Sequence, residues 1–577
     1  MEGNNNKYWK GVEELQNDPS FVKHAHNEFP EYLPVGTNGS EADEISGTHR
    51  RDFLKLLGFG VAAATLAACE APVKKAIPYL NKPEEIDPSV ANWYASSFAD
   101  GVDYCSVLVK TREGRPIKIE GNKYSSVSKG GVSARVQASV LSLYDNERLK
   151  GPLANGKAST WEDVDKTIKS QLEEIAVKGG KIRVVSSTIL SPSTKSALAE
   201  FMRKYPTAKQ VVYDANSSSG ILQANQISFG KAALPSYDFS KADKIVSIGA
   251  DFMGTWISPV EFAKQYAVNR KVGKNNKKMS RHYQFETILS LSGSNADHRT
   301  PIKPSQEGLV VAEIYSIVTG KALSIPKSGV AYVEQAAKDL LASKGKSLVI
   351  SASNDVNVQL LVNAINESLG NYGTTIDIVN HTNYRQGNDA DVATFIAEIT
   401  KSDVDAVVFY NTNPIYSHPL AAKLKDGLKK VKLSISLSDR LDETAAECKF
   451  VCPDHHYLES WGDAEPKKGF YSLIQPTITP LFKTRQAQET LLTWTGSKVS
   501  FYNYVQEFWK STVYPAQTKY LSFVELWNHA LHNGVFEIPS APSATAAQAL
   551  NTASVVAGIN KASKAANGGV ELALYEK

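Results

Sequence analysis

Short β-rich runs separated by helical stretches recur through most of this chain, and that alternation restricts its fold more than any other feature. Ile182-Arg-Val-Val-Ser, Gln210-Val-Val-Tyr-Asp, Lys244-Ile-Val-Ser-Ile-Gly, Ser347-Leu-Val-Ile-Ser, Thr375-Ile-Asp-Ile-Val, Ala406-Val-Val-Phe-Tyr and Lys432-Leu-Ser-Ile-Ser read as strands. Helical patterns such as the amphipathic run 161–177 lie between most of them. Such alternation predicts parallel sheets joined by crossover helices. With 577 residues the chain is too long for one core and divides into domains.

The loops that follow these strands are small and polar: Ser186-Ser-Thr-Ile-Leu-Ser, Gly249-Ala-Asp251, Ser351-Ala-Ser-Asn-Asp, Asn411-Thr-Asn413-Pro414 and Ser438-Asp-Arg-Leu-Asp-Glu443-Thr444-Ala. In open α/β sheets ligands lie outside the carboxyl ends of the strands, where helix N-termini offer backbone N–H groups to a phosphate or pterin. One such loop alone reads as turn and N-cap chemistry. Five in this order point to binding.

Charge and cysteine content remove other classes. The 64 basic and 60 acidic residues nearly balance at net +4, which gives no reason to propose nucleic acid as a partner. Cys69, Cys105, Cys448 and Cys452 are too few for a disulfide framework. Their spacing does not suggest the convergent thiolates of a cubane cluster, so no cluster is expected.

Residues 1–69 read as an extension with an export signal. Arg50 and Arg51, followed by Phe53, Leu54 and Lys55, precede an apolar run from Leu56 to Ala68. The run is shorter than the roughly 18–20 residues that span a bilayer, and the pattern resembles a twin-arginine signal. Leu66-Ala-Ala-Cys69 resembles a lipoprotein cleavage box with Cys69 as the lipidated residue, an ordinary cleavage site being the alternative. The 49 residues before Arg50 are long for a signal.

Residues 70–150 read as a Pro-rich tether to about residue 100, then a hairpin. Its strands run from Cys105 to Arg112 and from Pro116 to Glu120, around Glu113-Gly114. A short helix is expected from Ser139 to Gly151-Pro152. Residues 151–535 hold the alternating strands, and 536–577 read as a linker and the start of a truncated domain. His455-His456 reads as a structural pair, Cys448 and Cys452 as buried small side chains.

The order of these features resembles the molybdopterin bis-guanine-dinucleotide oxidoreductases over most of residues 101–530. The resemblance is carried by the Cys105 hairpin, Gly130-Gly-Val-Ser133-Ala-Arg-Val-Gln-Ala-Ser139, Tyr144-Asp145, Arg148-Leu-Lys-Gly-Pro152, Asn413-Pro414, Glu443-Thr444-Ala445, Pro453, and Leu458-Glu459 leading to Gly462. It implies an α/β fold with a small N-terminal β-rich domain followed by two interleaved Rossmann-like parallel-sheet domains. It also implies that Cys105 and Ser133 are degenerate cluster positions. Ser133 stands where the family has a cluster cysteine, and serine oxygen is a poor ligand for iron. The family's molybdenum ligand follows a strand like Val211-Val-Tyr-Asp; here that loop contains Ser217, Ser218 and Ser219, read as a loop-forming run with a serine ligand as the alternative. Ser217–Ser219, Gly249, Asp251, Asn413, Pro414, Glu443 and Thr444 are then vestigial pterin loops.

A narrower resemblance joins the long extension, the arginine pair, the cleavage box, the lost cysteines and His455-His-Tyr-Leu-Glu-Ser-Trp-Gly-Asp463. It is to the molybdopterin-oxidoreductase-like subunit of alternative complex III. That resemblance implies a non-catalytic scaffold without its own cofactor, on the outer face of a bacterial cytoplasmic membrane and held by a lipid anchor. It implies as partners a ferredoxin-like segment carrying iron–sulfur clusters, multihaem cytochrome c subunits and polytopic quinol-binding subunits. The alternative is an active molybdopterin-dependent oxidoreductase that has lost only its 4Fe–4S cluster.

Overall fold

The computed structural model describes residues 90–575 apart from Val102 and residues 274–276, 544–545 and 565–569, together with the isolated Pro19. Arg50, Arg51, Cys69 and most of the tether lie outside the described residues. The α/β class with parallel sheets is as expected.

The first sheet runs in the order Phe450–Val451, Leu433–Ser436, Ala406–Tyr410, Ile182–Ser186, Ala208–Val212, all parallel. A two-rung hairpin, Leu153–Ala154 with Lys157–Ala158, closes one edge antiparallel to Phe450–Val451. Side chains alternate between faces, so Val184 and Val408 meet Leu172, Leu198, Phe201 and Trp494 on one side. Val185, Val407 and Phe409 meet Phe395, Ile399 and Leu424 on the other. Helices cover both faces, which is why these strands read as continuous apolar runs.

The second sheet is also parallel, in the order His298–Pro301, Arg281–Glu286, Lys244–Ile248, Ser347–Ser351. Arg281–Glu286 was invisible to the hydrophobic pattern. His282, Gln284 and Glu286 are buried on one face of it and satisfy one another: His282 Nε2 lies 3.0 Å from Gln284 Oε1, and Gln284 donates to Glu286 at 3.0 Å.

Three expectations are corrected. The tether ends earlier, because Trp93-Tyr94-Ala-Ser-Ser-Phe98 is β-prone and lies past the last nearby proline. Asn92–Asp100 pairs antiparallel with Asp103–Arg112, which continues around Glu113-Gly114, both at positive φ, into Arg115–Gly121. The short helix occupies Ala134–Ser142 instead of 139–151, since the Ser133 side chain caps the N–H of Val136. The Thr375 run joins an antiparallel sheet, in the order Val535–Glu537, Phe470–Ile474, Gly462–Lys467, Ile376–Thr382, Leu234–Tyr237.

The segment read as a linker and the start of a truncated domain also holds a helix. Thr552–Ala562 is a helix whose Val555 and Ile559 are buried in the core of the second sheet. Gly308 lets Ile559 approach, since a Cβ there would lie 3.2 Å from it. Residues 570–575 form no strand; the Glu571 carboxylate accepts from the N–H and hydroxyl of Ser305 at 2.9 and 2.7 Å.

Candidate functional site

Strands Ile182–Ser186 and Ala406–Tyr410 are neighbours, but the chain leaves them in opposite directions. From Ser186 it turns toward Ala208–Val212, and from Tyr410 toward Leu433–Ser436. The loops at their carboxyl ends diverge and leave a crevice, the place where open parallel sheets bind ligands. A cavity of about 510 Å³ lies there. Its walls are the loops after three strands, 187–191, 411–413 and 438–442, with segment 454–463, the strand end Phe98–Gly101, and Gln486 and Gln488.

Local chemistry fixes these walls. Ser191 caps the helix Pro192–Lys204 by accepting from the Thr194 N–H at 3.0 Å. Asn411, in the left-handed region at φ 49°, donates to Ser187 Oγ at 3.1 Å and bridges the two diverging loops. Asp463 is fully buried and accepts from Ser191 Oγ at 2.5 Å, Ser193 Oγ at 2.7 Å and Trp509 Nε1 at 3.0 Å, while burial pushes its carboxyl up. Asp454 Oδ1 accepts the N–H groups of His455 and Ala487, both at 2.8 Å. Burial, with Asp439 nearby, pushes that carboxyl up to about 7.

His455 and His456 are structural. His456 Nδ1 accepts the Leu458 N–H at 3.3 Å, so its proton sits on Nε2, 2.9 Å from Ser142 Oγ. Burial pushes this imidazole down to about 4. His455 Nδ1 lies 2.6 Å from Thr484 Oγ1. Glu459 closes the same turn by accepting the His456 N–H at 2.9 Å, and it pairs with Arg148 at 2.6 Å with both side chains fully buried. The block thus fastens the small β-rich domain to the crevice. The sequence carried a signal for this pair in Arg148 and Glu459 themselves, but nothing that joined them.

The remaining site residues separate into three places. Asn413, Pro414, Glu443 and Thr444 form one wall of the crevice, but only Asn413 among them lines the cavity. Asn413 accepts from Thr444 Oγ1 at 2.7 Å and donates to Glu443 at 2.7 Å, so the group is largely satisfied within itself.

Gly249 and Asp251 stand at the corresponding point of the second sheet, between Lys244–Ile248 and Ser347–Ser351, with Ser217–Ser219 beside them. That second crevice is filled by its own side chains. Asp251 Oδ1 accepts from the N–H and hydroxyl of Ser292, both at 2.8 Å. The Gly220 N–H donates to Asn354 Oδ1 at 2.7 Å, and a Cβ on Gly220 would lie 2.3 Å from the Asn354 carbonyl oxygen. Ser219 Oγ accepts from Gln223 at 2.9 Å, and Ser217 Oγ from the Ser219 N–H at 3.0 Å. Glu307 stands between Gly249 and Ser353, and burial pushes its carboxyl up to about 7.

Cys105 and Ser133 do meet. The Ser133 backbone N–H points at the buried Cys105 sulfur, and burial pushes the thiol up to about 12. Ser133 Oγ is spent on the Val136 N–H and on Asp103, each at 3.2 Å. Cys448 and Cys452 are buried, free and pushed up by burial, with Cys448 Sγ 3.3 Å from the Thr444 carbonyl. Among the described residues no group of three His, Cys, Asp or Glu side chains is placed to hold a metal.

Comparison with known proteins agrees with this architecture. The molybdopterin oxidoreductase profile matches residues 148–489, more than half of the chain and both parallel sheets. The chain belongs to the molybdopterin oxidoreductase family. It is 24% identical over 435 residues to the menaquinone reductase, molybdopterin-binding-like subunit of Nitratidesulfovibrio vulgaris (Hildenborough), covering 67% of this chain and 62% of that one. It is 20% identical over 298 residues to the arsenate respiratory reductase molybdopterin-containing subunit ArrA of a Shewanella species (strain ANA-3), covering 49% of this chain and 34% of that one. The chain thus spans less than two thirds of either relative. Acetylene hydratase from Pelobacter acetylenicus shares the fold at a TM-score of 0.53 and 11% identity, over 70% of this chain and 69% of that one.

The family implies a pyrophosphate-bearing pterin dinucleotide at the crevices. The residues present do not fit that group. The open crevice is lined by five aspartates, Asp100, Asp439, Asp442, Asp454 and Asp463, and by neither Lys nor Arg. Asp100 and Asp439 are paired with Arg135 and Arg440 behind the lining, but Asp442 and Asp454 have no ion pair with a described Lys or Arg. A pyrophosphate beside such carboxylates is repelled in a medium that screens poorly. In the second crevice Glu307 stands between Gly249 and Ser353, in the space a second dinucleotide would enter.

Proposed function

We propose that this chain is a cofactor-free, non-catalytic platform in a membrane-bound respiratory complex that oxidises a quinol and passes electrons toward cytochrome c, in the manner of alternative complex III. The observation that carries this reading is the crevice whose lining holds five aspartates and neither Lys nor Arg, where the family implies a dinucleotide. The likeness to a menaquinone reductase subunit described as molybdopterin-binding-like supports it. So does Cys105, whose neighbour Ser133 has committed its hydroxyl elsewhere.

In this reading the iron–sulfur clusters belong to a ferredoxin-like segment or partner, docked with multihaem cytochrome and polytopic quinol-binding subunits. The twin-arginine pair Arg50 and Arg51 exports the chain, and lipidated Cys69 anchors it on the outer face of the membrane. No helix among the described residues is long and apolar enough to cross a bilayer.

The test is metal and pterin content of the protein purified from its native membrane, with the co-purifying subunits identified. The expected result is multihaem and polytopic subunits, and no molybdenum or pterin assignable to this chain. Stoichiometric molybdenum would sink the platform reading and establish an active enzyme that has lost its first cluster.

A further inference from the structure

From Phe262 to Phe285 the sequence holds seven Lys or Arg and neither Asp nor Glu, while the whole chain carries only +4. Basic charge is therefore gathered in this segment rather than spread. We propose that it docks the protein on an anionic bilayer surface, with lysines over the headgroups and apolar side chains in the interface. The contact lies on the body of the protein and goes beyond the anchor at Cys69.

The structure sets the segment out as a loop on a fixed stem. The helix Pro259–Arg270 ends where the Asn269 carbonyl accepts the Ser280 N–H at 3.0 Å and Arg270 donates to the Ser280 carbonyl at 2.5 Å. Lys271, Lys277 and Lys278 are exposed beyond this clamp, and Arg281 then opens its strand. The parallel strands of the second sheet start side by side at this end, opposite the closed crevice. Arg281 pairs with Lys244, and Lys244 with Ser347. Asp243 ties the same edge together: its carbonyl accepts the Arg281 N–H at 2.9 Å, and its N–H donates to the Lys346 carbonyl at 2.7 Å. Exposed Lys344 and Lys346 thereby extend the basic face.

The acids nearby do not cancel it. Asp297 is taken by Arg270 at 2.7 Å and Asp339 by Arg281 at 3.1 Å. Lys277, Lys344 and Lys346 make no ion pair with a described residue. Charge alone would suit any polyanion, and three apolar side chains choose among them. Val268, Val272 and Met279, on the loop and its stem, are 55%, 64% and 48% exposed. They gain nothing from a hydrated polyanion, but they enter the interface of a bilayer whose headgroups attract the lysines. Each lysine held near such a surface strengthens binding about fivefold.

The test is partition of the full chain onto vesicles, read by co-sedimentation, with Cys69→Ser in every variant so that no acyl chain contributes. Vesicles of phosphatidylcholine and phosphatidylglycerol at about two to one should bind it, and pure phosphatidylcholine at least about tenfold less. Salt at about 0.5 M should release it. Lys271→Gln, Lys277→Gln and Lys278→Gln together should weaken anionic partition about a hundredfold. Lys344→Gln with Lys346→Gln should weaken it more than about tenfold, and keeps the test open if the first variant fails to fold. Val272→Ser with Met279→Ser should weaken it about tenfold. Lys166→Gln, Lys423→Gln and Lys430→Gln, exposed on other elements, should together change it less than about twofold. Equal binding to neutral vesicles, or unchanged partition in either variant of the basic face, overturns the proposal. Partition that ignores Val272→Ser with Met279→Ser assigns the face to a hydrophilic polyanion and overturns the bilayer. Neither outcome touches the platform reading, which metal content and co-purifying subunits decide.

Discussion

The two parallel sheets present the same topological opportunity and use it differently. In the first, the loops after Ser186 and Tyr410 stay apart, held at their rim by the Asn411–Ser187 bond, and a cavity remains. In the second, Glu307 stands between the loops after Ile248 and Ser351, while Asp251 on Ser292 and Asn354 on Gly220 tie those loops to their neighbours. Small residues decide the second outcome, since Gly220 permits a backbone approach that a methyl group would forbid. Larger polar groups turned outward decide the first. A strand order that creates a crevice therefore fixes where a ligand can bind, but not whether one does.

The sharpest way to break this contrast is at the fastening of the open crevice. Glu459→Ala leaves the buried Arg148 with only the more distant Asp439, 3.7 Å away, and is expected to cost about 3 kcal/mol in urea unfolding. Replacing both residues by apolar side chains of similar volume should cost much less. Gly220→Ala attacks the closed crevice: its Cβ would lie 2.3 Å from the Asn354 oxygen, and a loss of about 1–3 kcal/mol is expected. Hydrogen exchange should then rise in 351–355 and not in 187–191.

The third test is pH dependence. His456 is held near 4 against 6.5, so the stability from its neutral form is complete above 6.5 and is lost as pH falls toward 4. His456→Gln should flatten that acid limb in a series of denaturation curves. Glu307 has the opposite sign. Its raised pKa, about 7 against 4.5, favours the fold most below 4.5, and that contribution is lost as pH rises through 7. Glu307→Gln should therefore stabilise the protein at pH 8, by about 1 kcal/mol after allowance for its partial exposure, and leave it unchanged near pH 4. Smallest of all, Ser217→Ala should change stability by no more than about 0.5 kcal/mol, because a turn hydroxyl and not a ligand is removed.

Much of the fold was legible because buried parallel strands are largely apolar on both faces, as Ala406–Tyr410 is and as Ile182, Val184 and Val185 are in Ile182–Ser186. Arg281–Glu286 escaped because its buried polar side chains pair with one another, a compensation that leaves no periodic trace. Thr552–Ala562 escaped because two apolar residues, Val555 and Ile559, suffice to dock a small-residue helix. The polar loops could be found from their strands, but sorting them between an open and a closed crevice required strand order. Ser217–Ser219 and Asn413–Pro414 both follow strands of the first sheet, yet Asn413 lines the open crevice while the serines lead into the contact of Gly220 with Asn354. The absence of Lys and Arg from the lining of the open crevice was equally hidden, since its aspartates come from three separated segments.

The interleaving of the sheets also has a consequence for synthesis. Ile182–Ser186 emerges from the ribosome more than 200 residues before Ala406–Tyr410, its neighbour, with the whole second sheet encoded between them. At about 5–20 residues per second, roughly 10–40 s pass with one edge of this largely apolar strand unpaired. The second sheet can assemble in that interval, whereas the Arg148–Glu459 pair, 311 positions apart, forms only near completion. The nascent chain therefore carries its greatest aggregation hazard in the element that later frames the crevice, and shielding of that edge during translation should govern the yield of folded protein.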